Sequence, residues 1–267
     1  MCSSDLNDIN IGFYWKTIRT FFHNQDAFGG TTSQPHKHRL FYVGPSGGTS
    51  TSIDDQGIHV ELVGVGIYPF HLPMLKITGY NGVGGEVIAY YDVTLYKDEH
   101  HKYLVYYYST STYPGLAIWD KENNSIKTLT PHSTSGTTSG TIFSAITDVV
   151  IYDPNNDDTR PDWGDVITDV VFFTGSFITG DFDRSEYFNG GSTIDFNSTL
   201  WNGSEPNFWY RFGNGASDNT NAPFALFNGD TIDDYSGNNY DLTATFGNPT
   251  NVMNIFTWPY NTFETEI

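Results

Sequence analysis

Ile58-His59-Val60-Glu61-Leu62-Val63 alternates apolar and polar residues with a period of two. This period matches a β-strand, whose successive side chains point to opposite faces, and not the 3.6-residue period of a helix. Nine further segments rich in β-branched and aromatic residues also predict strands. They are residues 11–16, 40–43, 74–77, 86–96, 102–108, 116–119, 142–152, 166–173 and 208–212.

Turn-forming clusters separate these segments, as in Gly-Pro-Ser-Gly-Gly at 44–48. Many strands with almost no helical periodicity predict an all-β fold, a two-sheet antiparallel β-sandwich of the jelly-roll kind. One short helix is expected over 183–188, capped by Thr179 or Asp181 and ended by Gly190. The asparagine- and glycine-rich stretch after Gly213 predicts a loop-rich tail.

The charge balance excludes two classes of partner. Twelve Lys and Arg stand against 31 Asp and Glu, a net charge of −19. Such a surface repels phosphate backbones and anionic headgroups, so nucleic acid is not an expected partner. No apolar run reaches the roughly 18 residues that cross a bilayer, so we expect no membrane insertion.

The first six residues have an unusual origin. Cys-Ser-Ser-Asp-Leu is what the sequencing-adapter end TGCTCTTCCGATCT encodes in frame, so we expect residues 1–6 to be an artefact joined to a metagenomic gene fragment. The native N-terminus would then be missing, and the one cysteine, Cys2, would not be native. The expected organisation is a sandwich over 7–212 and a C-terminal extension over 213–267 packed on it.

Several segments, in order along the chain, resemble the laminin-G-like domain of the concanavalin A-like superfamily, of the type found in bacteriophage structural proteins. Residues 8–17 resemble the opening strand "dfsisfWfKt" of that family, and residues 164–173 its closing strand "G.iddvriy". The remaining matches are 100–107 to "WHHvvvty", 116–121 to "vklYvDG", 187–191 to "LYNgG", 208–215 to "WWRfGdG" and 232–239 to "i.DsSGNgn". The Trp of the second motif is absent, and Lys121 replaces the usual Gly of the third.

The resemblance implies a non-enzymatic virion protein, such as a tail-fibre, appendage or capsid-surface subunit that works by adhesion. Its expected partners are other virion proteins or host-surface glycan, its location is the virion, and oligomer formation is left open. The alternative is a secreted, extracellular bacterial carbohydrate-binding or adhesion module. A weaker alternative is a degenerate glycoside hydrolase of the same fold.

Catalysis is not expected, because the carboxylate pair of a glycosidase has no strand on which to lie. Laminarinase-type relatives of this fold carry E-x-D-x-x-E on a strand, where alternation points the carboxylates into a groove. The nearest string here, Asp181-Phe182-Asp183-Arg184-Ser185-Glu186, falls in the predicted helix. Acidic residues near a helix N-terminus complement the helix dipole and need no catalytic role.

Calcium is the one cofactor that the sequence makes worth testing. Asp153, Asn155 and Asp157 have a D-x-N-x-D spacing, with Asp158 beside them, that lets alternate oxygens converge on the ion. A complete EF-hand wants Gly at the sixth position and Glu at the twelfth, and this loop has neither, so an acidic solvated loop is the alternative. Asp233, Asp234, Asn238 and Asn239 form a second, weaker oxygen-rich loop.

Two loop tryptophans are the candidates for carbohydrate binding, because an exposed ring face beside polar side chains suits a sugar. They are Trp163, beside Asp162, and Trp201, beside Asn202. The alternative is a loop aromatic tucked against the sheet edge. Trp15, Trp119 and Trp209 are expected in the core, and the pairs His36/His38 and His100/His101 are expected to be structural or surface histidines, since neither pair has a third zinc ligand nearby.

Overall fold

The protein is a two-sheet antiparallel β-sandwich with one short α-helix in the part of the chain that the structure, a computed structural model, describes. The described residues are 8–17, 37–45, 56–67, 70–80, 85–97, 99–108, 111–137, 148–153, 165–174, 181–198, 205–211, 225–227, 229–243 and 252–254. The all-β prediction is therefore confirmed.

Sheet A has six strands in the spatial order β12-β11-β1-β6-β7-β8. Their bounds are β1 Ile9–Thr17, β6 His101–Tyr107, β7 Gly115–Asp120, β8 Ser125–Thr128, β11 Asp165–Thr174 and β12 Phe208–Tyr210.

Sheet B also has six strands, in the order β10-β2-β3-β4-β5-β9. Their bounds are β2 Lys37–Gly44, β3 Gly57–Ile67, β4 Phe70–Tyr80, β5 Glu86–Asp92, β9 Ser133–Thr137 and β10 Asp148–Asp153. All neighbours in both sheets pair antiparallel.

The ten predicted strands match ten of the twelve strands in the two sheets, and two strands of these sheets were missed. The edge strands β8 and β9 are short, mostly exposed and rich in Ser and Thr, so they lack the apolar alternation by which a strand is recognised. Of the prediction over 142–152, residues 142–147 lie outside the described residues.

The main core lies between the two sheets, where alternate residues of facing strands interdigitate. Phe13 of β1 meets Phe41 of β2 across it, with ring centroids 4.7 Å apart. Trp15 is fully buried in this core, as predicted.

A second apolar cluster lies on the outer face of sheet A, beneath residues 181–198, which we call the strap. The strap contains α1 (Asp181–Phe188), a 3₁₀ turn (Asn189–Gly191) and the segment to residue 198. The helix begins two residues earlier than predicted and gives way at Gly190, whose φ of 61° is left-handed, as the prediction requires. Thr179 lies outside the described residues. The second cluster contains Leu104, Ala117, Val171, Phe173, Tyr187, Phe188, Phe196 and Trp209.

Within the predicted loop-rich tail, the described residues include short strands. Two small ribbons form here, β13 (Ala225–Phe227) with β16 (Val252–Asn254) and β14 (Thr231–Ile232) with β15 (Leu242–Thr243). The strands of the first pair are separated by 24 residues, so this pairing has no local turn signal in the sequence.

Candidate functional site

The predicted carbohydrate residues Trp163, Asp162, Trp201 and Asn202 lie outside the described residues, so that site stays a prediction. Of the predicted calcium ligands, Asp153 is the last residue of β10 and pairs with Arg39 of β2. Asn155, Asp157 and Asp158 lie outside the described residues. Within the described ranges, no three His, Cys, Asp or Glu residues converge to hold a metal ion.

The second oxygen-rich loop has a structural role in the fold. Asp234 Oδ1 accepts hydrogen bonds from the backbone N–H groups of Trp209 and Ser236, each at 2.9 Å. Its Oδ2 accepts from Ser236 Oγ at 2.8 Å and from the Tyr240 N–H at 3.1 Å. Because these four groups are donors aimed at one carboxylate, Asp234 is a hydrogen-bonded clamp rather than a cation ligand.

The clamp fastens residues 231–243 to the edge of sheet A. Tyr235 N–H donates to the Trp209 carbonyl at 2.8 Å, which extends the pairing beyond β12. The Asn238 side-chain amide donates from Nδ2 to the backbone carbonyls of Pro206 and Asn207, at 3.2 and 3.1 Å. The edge that β12 would leave open is thereby capped by the chain's own C-terminal region.

Asp234→Asn is expected to lower the free energy of unfolding by about 1–3 kcal/mol. The substitution replaces one carboxylate oxygen by an amide nitrogen, which cannot accept the two hydrogen bonds that this oxygen receives. Urea unfolding followed by circular dichroism measures the loss. Asp233→Asn is the matched control, since Asp233 lies next to Asp234 and accepts none of the four bonds of the clamp. A variant as stable as the wild type would contradict the clamp.

A buried polar network joins the strap to sheet A. Lys102 Nζ donates to the Ser192 carbonyl at 2.8 Å and lies 4.5 Å from the centre of the Tyr187 ring. Tyr187 donates to the Tyr103 carbonyl at 2.8 Å, and Tyr14 donates to the Gly191 carbonyl at 3.1 Å.

Two glycines let the strap approach the sheet this closely. A Cβ on Gly12 would overlap the Tyr187 ring, and a Cβ on Gly191 would overlap the Trp119 ring. Gly191 also has a φ of 84°, a conformation that other residues rarely adopt. The Tyr-Phe-Asn-Gly-Gly string at 187–191 was the one signal of this arrangement in the sequence, and its contacts show a packing role.

Asp169 reaches the same network through a β-bulge. Asp169 and Val170 of β11 lie opposite the single residue Phe13 of β1, and Asp169 adopts a φ of 54°. A bulge of this kind redirects a side chain. Here the redirected carboxylate accepts a hydrogen bond from the Trp209 indole N–H at 2.7 Å.

Burial dominates the electrostatics of this network. It lowers the pKa of Lys102 to about 7, against the opposing attraction of Asp169. It raises the pKa of Asp169, against the hydrogen bond from Trp209 and the attraction of Lys102 and Arg211. Because both groups are enclosed and bonded within the protein, the arrangement suits holding the strap in place rather than acting on a ligand.

The two neighbouring histidines, His100 and His101, are buried and lie on opposite faces of the sheet. His100 stacks on Tyr14 with ring centroids 5.3 Å apart. His101 Nδ1 lies 3.1 Å from the Trp119 carbonyl oxygen, and its ring meets Tyr96 edge-on.

A second polar arrangement crosses the outer face of sheet B. Cross-strand pairing places one residue from each strand in a row, which we call the charged row. It runs Asp153, Arg39, Glu61, Lys76, Tyr90 and Ser133. Charge alternates along its first four members, and within the row Arg39 pairs with Glu61, which pairs with Lys76.

The middle of the charged row is enclosed. Arg39 and Glu61 are 1% and 2% exposed, and Lys76 Nζ lies 3.0 Å from Glu61 Oε2. His59 and Tyr42 lie beside the row and are also buried, with ring centroids 4.9 Å apart. The alternation at 58–63 therefore predicted the strand, while its polar face is buried instead of solvated.

Comparison with known proteins adds one weak structural likeness. No protein-family model matches the chain, and no curated protein matches it. Among solved structures, it is similar to the enzymatically active domain of tailspike protein 2 of bacteriophage CBA120, with a TM-score of 0.41 and 12% sequence identity over 69% of this chain. The chain spans about a quarter of that structure, 24% of its length. A likeness of this size is too low to transfer the tailspike's activity.

Proposed function

We propose that this chain is a non-enzymatic virion structural or adhesion protein, a tail-fibre, appendage or capsid-surface subunit. Its sandwich acts as a rigid support that presents a binding surface to host glycan or to neighbouring virion proteins. The resemblance of the sequence segments to laminin-G-like phage proteins motivates this choice.

The observation that carries the proposal is the closure of sheet A by the strap. A groove-binding hydrolase presents catalytic carboxylates from an open sheet face, about 5–5.5 Å apart in the retaining type. Here the outer face of sheet A is occupied by Tyr187, Phe188 and Phe196 of the strap. The acidic string 181–186, the closest match to a catalytic strand, lies within α1 of that strap.

The acidic composition supports the choice of partners. A net charge of −19 disfavours nucleic acid and leaves glycan or protein surfaces as partners. None of the helices among the described residues has the length and apolar character to span a bilayer.

The test is to locate the protein in its source community. Virus-like particles are separated from cells and from the soluble secreted fraction, and tryptic peptides of this chain are quantified in each fraction by mass spectrometry. Enrichment with the particles is expected. Peptides confined to the secreted fraction would refute the virion assignment in favour of a secreted adhesion module.

A further inference from the structure

One part of the outer face of sheet B reaches solvent, in contrast to the enclosed part around Arg39. We call it the β4–β9 strip, because it crosses β4, β5 and β9. Its members share one face, since the alternate residues Ile77, Val87, Ala89 and Tyr91 point into the core. The strip comprises Lys76, Thr78, Tyr80, Ile88, Tyr90, Ser133 and Ser135.

The register sets the strip out in two short rows. Lys76 pairs with Tyr90, which pairs with Ser133, and Thr78 pairs with Ile88, which pairs with Ser135. Exposure rises along both rows, from buried or half-buried on β4 and β5 to exposed on β9. The strip is thus most exposed at β9, the edge strand of sheet B.

The β4 end of the strip has hydrogen-bonding groups without a partner. Within the described part of the chain, the Lys76 ammonium donates to one acceptor, Glu61 Oε2, although an ammonium carries three N–H donors. Thr78 is 3% exposed, and its hydroxyl has no hydrogen-bond partner. An unpartnered buried hydroxyl is unfavourable, so a ligand that supplies a partner gains by doing so.

The side chains around that polar end match the chemistry of sugar recognition. Tyr80 and Tyr90 are half-buried, and each offers a ring and a hydroxyl. Sugar rings place their apolar faces on aromatic rings while polar neighbours hold the hydroxyls. Ser133 and Ser135 add exposed hydroxyl groups at the outer end.

We propose that the β4–β9 strip binds an uncharged saccharide, which rests on the proposed adhesion function and adds a location and a ligand class to it. Lys76 is already balanced by Glu61 at 3.0 Å, so the strip holds no excess positive charge for an anion. The net charge of −19 repels anionic polysaccharide at long range. The strip contains neither of the loop tryptophans that the sequence indicated.

The experiment is a binding assay with immobilised neutral hexasaccharides of glucose, galactose, mannose and N-acetylglucosamine, beside sialylated and uronate-containing glycans of similar length. Binding to at least one neutral glycan is expected. Tyr90→Ala should weaken it by about tenfold or more, as expected for a stacking contact of about 1.5 kcal/mol. Thr78→Val, which keeps the shape and removes the hydroxyl, should weaken it several-fold.

The matched control is Tyr113→Ala, which removes a tyrosine that is 37% exposed in the connection between β6 and β7 of sheet A and is not a member of the strip. It should bind like the wild type. Ser133→Trp covers the strip from an exposed position. It therefore reports on the site even where Tyr90→Ala fails to fold, and it should abolish binding.

Three outcomes would overturn the inference: wild-type affinity in Tyr90→Ala and Ser133→Trp, binding to acidic glycans alone, or binding to none of the neutral glycans. The particle fractionation is independent of these outcomes. A protein that travels with virions but ignores neutral glycan would keep the virion role and lose this site.

Discussion

Trp209→Ala is expected to lower the free energy of unfolding by about 3–5 kcal/mol, the range for deleting a large buried aromatic side chain. Trp209 is buried between sheet A and the strap, edge-on to Phe196 at 5.1 Å and to Tyr235 at 5.8 Å. Its indole also supplies the hydrogen bond to buried Asp169. Urea unfolding followed by far-ultraviolet circular dichroism measures the loss without relying on tryptophan fluorescence.

Trp209→Phe separates packing from hydrogen bonding. It keeps most of the ring volume and removes the N–H, so a smaller loss of about 1–3 kcal/mol is expected from the unmet Asp169 carboxylate. The order of stability should be wild type, then Trp209→Phe, then Trp209→Ala. A loss below about 1 kcal/mol in the alanine variant would show that the strap does not depend on this side chain.

Acid is expected to destabilise the protein through His100. Burial, followed by repulsion from Lys121, Lys16 and His101, lowers the pKa of His100 from 6.5 to about 3. Below pH 6.5 the unfolded chain therefore binds a proton that the folded chain refuses until about pH 3. The free energy of unfolding falls as the pH drops through this window, by at most about 1.4 kcal/mol per pH unit. The stability that depends on a neutral His100 is fully present above pH 6.5.

His100→Phe isolates this contribution from the carboxylates that titrate in the same range. Phenylalanine keeps a ring against Tyr14 and cannot bind a proton. The difference between wild-type and variant unfolding free energies, measured at intervals from pH 7 to pH 4, should change by roughly 3 kcal/mol. Parallel pH profiles for the two proteins would contradict the burial of a neutral imidazole.

The sequence was sufficient to predict most strands, because their signal is local. Alternation at 58–63 and the aromatic runs at 13–15 and 208–210 each predict a strand from a few neighbouring residues. The strap was visible in part, since a capped helix followed by Gly190 is also a local pattern. Its position over sheet A was not, because that depends on Gly12 and Tyr187, 175 positions apart in sequence.

The polar arrangements were harder to foresee for the same reason. Lys102 and Asp169 read as ordinary charged residues in their strands, and a bulge is needed to redirect Asp169. Glu61 and Lys76 become neighbours through the register of β3 with β4. Pairing of this kind between distant segments leaves little mark on the sequence of either segment. The loop motifs around Asp153 and Trp163 are, by contrast, recognisable from local composition alone.

The most direct test of the account is to recover a glycan after it has been bound. The protein is incubated with the neutral hexasaccharides and re-isolated, and the bound and free sugars are then sized by mass spectrometry. If the protein adheres to glycan without catalysis, a hexasaccharide should be retained and recovered intact. Shortened sugars with new reducing ends, absent from a protein-free incubation, would contradict it and make the chain an enzyme.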